Sequence, residues 1–268
     1  LEVGSGNPAQ LTLNGARCNT ADRVAPGDRI EAAPGAPIIE SIVVETTETG
    51  QPFEVVGSGS FVKVRSPGAP GKVTVKKGLI TGKVFESAES QEPSVTVIAR
   101  FQYVVARKLV VLSFDDGPHP VYTPLILEVL RSEGVHAVFF VVGAQVAAYP
   151  SVLKRIHDEG HEIGNHTYSH TLTEAALEHD ISSEISDTSQ LVEKLTGSPT
   201  RWVRPVGGAL SAAFVRAAES TGHTIVLWNV DTQDWRAARS WGRSDEIRLS
   251  VSDTPLGNGS VILMHDGG

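Results

Sequence analysis

The hydrophobic positions change period partway along the chain. Up to about residue 105 they alternate with polar ones or gather in short β-branched runs: IESIVVET (39–46), FVKVR (61–65), KVTV (72–75) and SVTVIARFQYVV (94–105). Gly-, Pro- and Ser-rich stretches such as SPGAPG (66–71) separate them. A period of two with turn residues between the runs predicts antiparallel strands and no helix. Nearer the start, LTLNGARC (11–18) reads as a hairpin with Asn14-Gly15 at its turn.

From residue 106 apolar runs and 3.6-residue patterns take turns. KLVVLSF (108–114) predicts a strand, and TPLILEVLRSEG (123–134) a helix with Thr123 as N-cap, Pro124 at the first helical position and Gly134 as its stop. HAVFFVVG (136–143) and HEIGNHT (161–167) are strands around the helix PSVLKRIHDEG (150–160). A long helix is expected over 173–195, then strand RWVRP (201–205), helix SAAFVRAAESTG (211–222), and strands HTIVLWNVD (223–231) and GSVILMHD (259–266). Strand–helix repetition implies parallel strands with crossover helices. The expected fold class is therefore α/β: a distorted (β/α) barrel over 106–268, preceded by a smaller all-β domain over 1–105.

Composition narrows the partners. The 268 residues carry a net charge of -8, which argues against a nucleic-acid partner. No apolar run approaches the roughly 18 residues of a membrane-spanning helix; the longest is Ala137–Val142. With Cys18 as the only cysteine there is neither a disulfide framework nor a thiolate metal site. The chain begins at Leu1 without a signal-peptide pattern, as a trimmed or processed form would.

In a β/α barrel, function gathers at the C-terminal ends of the strands. Five strand ends carry polar residues here: Asp115 and Asp116, His166 with His170, Arg204, Asp231 with Asp234, and His265. All nine histidines lie in this second part. Adjacent carboxylates repel each other, so LSFDDGPHP (112–120) suits a site that uses one for a metal and one for proton transfer. HTYSH (166–170) sets two imidazoles at i and i+4, neighbours on one face if the segment enters a helix. With Asp116 they make three ligands, the number a catalytic zinc takes while keeping a position open for water.

These segments resemble the polysaccharide deacetylases, the NodB-homology group of carbohydrate esterase family 4. Five motifs stand in order over about 109–268: SFDDGP (113–118), HTYSH (166–170), RPVGG (204–208), DTQDW (231–235) and LMH (263–265). The resemblance implies a divalent metal, zinc first and Co2+, Ni2+ or Mn2+ as alternatives, on Asp116, His166 and His170. It further implies Asp115 as general base attacking through metal-bound water, Arg204 holding Asp115 ionised, and the Gly207 N–H at the oxyanion. His265 would be the general acid, oriented by Asp234, with Trp235 and Leu263 lining a pocket for the acetyl methyl. The expected activity is removal of N-acetyl groups from a peptidoglycan- or chitin-like polysaccharide, outside the cell or at its wall. An O-acetyl xylan esterase, a non-catalytic glycan-binding protein and a metal phosphoesterase are the alternatives.

Two departures stand out. The third motif reads Arg-Pro-Val-Gly-Gly where the family has Arg-Pro-Pro-Tyr-Gly, which widens the expected substrate groove. The sequence ends just after His265, where the family continues with another helix and strand, and closure by the N-terminal part is one way to complete such a barrel. That part, through ETTETGQPFEVV (45–56), KVRSPGAPGKVTVKKG (63–78) and ITGKV (80–84), resembles the G-five module, which implies glycan binding. His119 is expected to be a turn residue, and His136, His157, His161, His179 and His223 surface or helix-end residues.

Overall fold

A computed structural model describes residues 2–4, 10–14, 16–18, 29–33, 38–79, 82–103, 109–172, 176–237, 251 and 256–267. The chain divides into two compact units, 1–51 with 69–94, and 52–68 with 95–268.

The first unit is all β among its described residues. Lys72–Gly78 pairs antiparallel with Ile42–Glu48 on one side and Val84–Gln91 on the other. Gln10–Leu13 pairs with Ala16–Cys18 and Ile30–Ala33. Leu13 faces Ala16 across a two-residue loop, and Asn14 has φ 53°, the left-handed value such a tight hairpin asks of its turn residues. Gly15 lies outside the described residues.

The second unit is built on one ten-stranded sheet. Seven parallel strands lie side by side in the order Val230–Asp231, Ser260–His265, Val110–Asp115, Val138–Val141, Glu162–Asn165, Trp202–Val203 and Thr224–Val226. Helices Tyr122–Glu133, Gly143–Ala148, Pro150–Asp158, Glu178–Thr196 and Ala212–Ser220 connect them. Their apolar faces supply the core: Ile181, Ile185 and Val192 recur at helical spacing on the longest and are at most 1% exposed. Gly164 sits in mid-strand because a Cβ there would stand 2.4 Å from the Phe140 ring on the next strand. This is the (β/α) framework the sequence predicts.

Three further strands complete the sheet, and they come from before residue 105. Phe61–Ser66 pairs antiparallel with Thr224–Val226, Thr96–Phe101 pairs with Phe61–Ser66, and Phe53–Gly57 with Thr96–Phe101. Val62 and Ile98 are 2% and 0% exposed in the barrel's own core, among Ile181, Val203 and Phe214. Beside them Ser60 accepts from Leu227 N–H at 2.6 Å and donates to Asn229 at 2.5 Å, and Gln102 bonds Asn229 and Gly259. The units therefore do not part at residue 105 as the sequence reading has it. Period-two alternation identifies a strand that buries one face, but the same alternation serves a separate sheet or the flank of another. The segments that carry the G-five likeness are divided accordingly: 53–57 and 61–66 belong to the barrel's sheet, 72–78 to the all-β unit.

Helix Tyr122–Glu133 begins one residue before the predicted cap. Its first N–H groups, on Val121 and Tyr122, are accepted by His119 Nδ1, while Thr123 Oγ1 accepts from His119 N–H and donates to Asp266. Gly134 ends the helix with φ 64°, as expected.

Candidate active site

The parallel register sets the site. Asp115 stands beside Phe140 on one neighbouring strand and His265 on the other, all at the C-terminal ends. Asp116 follows with φ 77°, which turns its carboxylate back over the rim. His166 N–H donates to Val141 O just past the end of Glu162–Asn165. HTYSH does not enter a helix, the one condition on which its i, i+4 spacing would set the two imidazoles on a helical face; a pinned loop brings them together instead. Glu184 accepts from the N–H groups of Tyr168 and Ser169 at 2.8 and 2.7 Å, Asn165 accepts from Thr167 N–H, and Thr167 O accepts from Gly143 N–H. Of five described non-glycine residues with positive φ, four lie here: Asp116, Thr167, His170 and Gln233. Backbone held in such conformations costs about 1–3 kcal/mol per residue and persists where surrounding contacts over-determine it.

Asp116, His166 and His170 each present one ligand atom, all within 4.8 Å of one another. Asp116 Oδ1 lies 2.9 Å from His170 Nε2 and 3.4 Å from His166 Nε2. His166 Nδ1 donates to Arg204 O at 2.7 Å, which fixes the tautomer and aims the Nε2 lone pair at Asp116. Two imidazoles and one carboxylate, half-open to solvent at His170, fit a divalent transition ion with a free position. Burial tends to raise the Asp116 carboxyl, but the two imidazoles beside it, His166 and His170, outweigh that and hold it well below the usual carboxylate range. The bond to Asp116 raises His170 above its ordinary value against the opposing effect of burial.

Asp115 is 3% exposed and receives Arg204 Nη1 at 2.6 Å. Arg204 is the largest fully buried side chain. Burial lowers its pKa from the ordinary value, opposed by the Asp115 charge beside it. Its remaining donors go to Ser113 Oγ, Val226 O and Leu227 O, and its guanidinium carbon lies 3.9 Å from the Phe140 ring centroid. The carboxylate is thus held in one orientation with one oxygen committed to the guanidinium. Its other oxygen, Oδ2, lies 3.6 Å from His166 Nε2.

His265 Nδ1 is 2.7 Å from Asp234 Oδ1, and its backbone N–H donates to Asp234 Oδ2. Burial works to lower His265, but the Asp234 hydrogen bond and charge prevail and raise it. Leu263 is 3% exposed within its strand, and Trp235 is half exposed with Arg236 over its ring. Gly207 sits between Arg204 and Gly208 in a short 3-10 turn with φ 61°, a conformation glycine adopts without strain.

Several residues at the site escaped the sequence reading. Asp266 is 2% exposed, bonded by Thr123 Oγ1 and packed on Gly117; burial, then the Asp115 and Asp116 charges, push its carboxyl up to about 7. Its position directly after His265 was the one available signal. Glu184, Asn165 and Ser113 gave none, because their roles depend on which loop or guanidinium the fold brings to them. Of the histidines expected at the surface, His161 is 6% exposed and accepts from Ala137 N–H, and His223 is half-buried between Ser189 and Thr200.

Fold and site together define a (β/α)-barrel protein with a two-histidine, one-carboxylate candidate metal centre on the C-terminal rim, flanked by a buried Asp–Arg pair and a His–Asp pair. The chain belongs to the polysaccharide deacetylase family, whose sequence profile matches residues 103–226. It is 32% identical over 216 residues to a peptidoglycan-N-acetylglucosamine deacetylase of Listeria monocytogenes, covering 80% of this chain and 44% of that protein. A peptidoglycan-N-acetylglucosamine deacetylase of Bacillus cereus is 34% identical over 163 residues, covering 60% of this chain and 74% of its own. Among solved structures, the peptidoglycan deacetylase PdaC of Bacillus subtilis superposes with a TM-score of 0.54 at 35% identity, covering 60% of this chain and 76% of that one. Against longer relatives such as the Listeria protein the chain spans about half their length or less.

Proposed function

We infer that this chain hydrolyses N-acetyl groups from a polysaccharide of N-acetylglucosamine type, peptidoglycan before chitin. The observation that supports this most is the closeness of Asp116, His166 and His170 with Asp115 and its arginine alongside. A divalent ion on those three ligands, zinc by the donor set, would polarise the acetyl carbonyl and lower the pKa of water toward 7.

The chain's own residues would move the protons. Water adds its oxygen to the acetyl carbonyl carbon while Asp115 takes its proton, an exchange Arg204 supports by holding the carboxylate in place. The Gly207 N–H, three residues after Arg204, would receive the carbonyl oxygen as it gains charge. His265, held in its charged form by Asp234, gives a proton to the amide nitrogen as the C–N bond breaks. Acetate and a free amine leave. Cell-wall or extracellular action follows from this substrate, and no helix among the described residues is long and apolar enough to cross a membrane.

Acetate release measured side by side from peptidoglycan, chitooligosaccharides and acetylxylan tests the reading. Turnover of the first two is expected; turnover of acetylxylan alone would make the chain an O-acetyl esterase. Retention of the glycan by the all-β unit belongs to the same proposal. It is checked by cosedimenting the Asp115→Asn chain with insoluble peptidoglycan and chitin, and failure of both to pull it down would remove it.

A further inference from the structure

The second unit holds a cavity of about 280 Å³ lined by Arg100, Gly207, Gly208, Leu227 and Trp228. That is near the lower end of ligand-binding pockets, which start at about 300 Å³. We propose that it is a subsite for a carboxylate-bearing sugar of the glycan, next to the sugar whose acetyl group is cleaved. The proposal rests on the deacetylase reading for its substrate, but the pocket's chemistry stands by itself.

The pocket adjoins the reacting groups. Gly207 belongs to the third motif, immediately after the strand end that carries Arg204. Leu227 O accepts from Arg204 Nη2 at 3.3 Å, and the Trp228 ring centroid is 5.8 Å from the Arg204 guanidinium carbon, whose Nη1 bonds Asp115. The wall of the pocket is thus in contact with the arginine that bonds the proposed base.

Its walls suit a charged pyranose. Trp228 offers an aromatic face of the kind that stacks on sugar C–H groups. The ring lies so close to Gly208 that a Cβ there would stand 2.7 Å from it, and Gly207 likewise brings no side chain into the space. Gly207, standing where the family motif has tyrosine, leaves room where an aromatic ring would project.

Opposite stands Arg100. Its Nε donates to Gly59 O at 2.9 Å, which anchors the guanidinium, and among the described residues no carboxylate lies within ion-pair distance of it. A guanidinium fixed at one nitrogen and without an anionic partner is suited to grip a carboxylate through its remaining N–H groups. Arg100 reaches the rim because Thr96–Phe101 flanks the barrel: it pairs with Val62, which pairs with Ile225 two residues before Leu227.

The test uses the full chain and three oligosaccharides: an N-acetylmuramic acid-containing tetrasaccharide with free lactyl carboxylates, its carboxamide, and chitotetraose. Calorimetry should show the acid binding roughly tenfold tighter than the carboxamide, the fold-change of one charged hydrogen-bonded contact. Arg100→Gln should erase that preference and leave chitotetraose affinity and turnover unchanged, and Arg100→Lys should keep part of it. Equal binding of acid and carboxamide by the unaltered protein overturns the proposal, as does an equal loss on all three ligands in a folded Arg100→Gln. The first comparison needs no variant, so poor folding of Arg100→Gln leaves it decisive. Acetate release from chitotetraose reads the deacetylase proposal separately: its absence alongside an intact preference for the acid would sink the enzyme and keep the subsite.

Discussion

At Asp115 two demands meet in one side chain. As the proposed base the carboxylate must accept a proton, yet it is buried, and Arg204 at 2.6 Å is the cation set against it. Asp115→Asn keeps the shape and an acceptor for Arg204 but removes the proton acceptor. Turnover should fall by about 10²–10⁴ with one ion still bound per chain; near-normal acetate release would show the base to be elsewhere. His265 gives a pH signature. As the proposed acid it must be protonated, and Asp234 raises its pKa, so activity should persist above His265's ordinary range and fall as pH rises through the raised value. Asp234→Asn removes the cause, and the alkaline limb of the pH–rate profile should move to lower pH. An unmoved limb would mean that another group is the acid.

Among the elements, the flanking strands carry the clearest consequence. A fragment starting at residue 106 lacks Phe53–Gly57, Phe61–Ser66 and Thr96–Phe101, and with them Val62 and Ile98 from the core. Each such side chain contributes about 1.5–3 kcal/mol by burial, against a total stability of about 5–15 kcal/mol for a domain. The fragment should therefore unfold at markedly lower temperature than the whole chain, or not fold, as read by thermal circular dichroism. An equal midpoint would show those strands to be ornament. The same scale explains where the sequence was and was not legible. The strands ending in Asp115, Asn165 and His265, and helix stops such as Gly134, follow from local pattern. The loop carrying His166 and His170 does not: i, i+4 spacing suggested a helix, whereas Glu184 and Asn165 impose a pinned turn with positive φ at Thr167 and His170.

For the whole molecule, metal, proton and fold are linked. His170 is raised by Asp116, so below that raised value an incoming ion competes with a proton for the imidazole. Metal affinity should weaken as pH falls below the raised value and strengthen above it, measured by zinc titration calorimetry at several pH values; a flat profile would rule out His170 as a ligand. If an ion binds only the assembled triad, as proposed, a chelator should lower the unfolding temperature and zinc restore it.

By itself the sequence determined the α/β class, the order of strands and helices in the second half, and the residue types at the strand ends. These follow from nearest-neighbour sterics, hydrophobic period and the chemistry of individual side chains, all of which are local. Tertiary structure alone decided that Phe53–Gly57, Phe61–Ser66 and Thr96–Phe101 flank the barrel, that His166 and His170 converge on Asp116 from a loop, and that Arg100 stands across a pocket from Trp228. Those are pairings between residues tens to more than a hundred positions apart. A strand's alternation states that it buries a face and leaves open against which neighbour; only the packing of the whole unit supplies the partner.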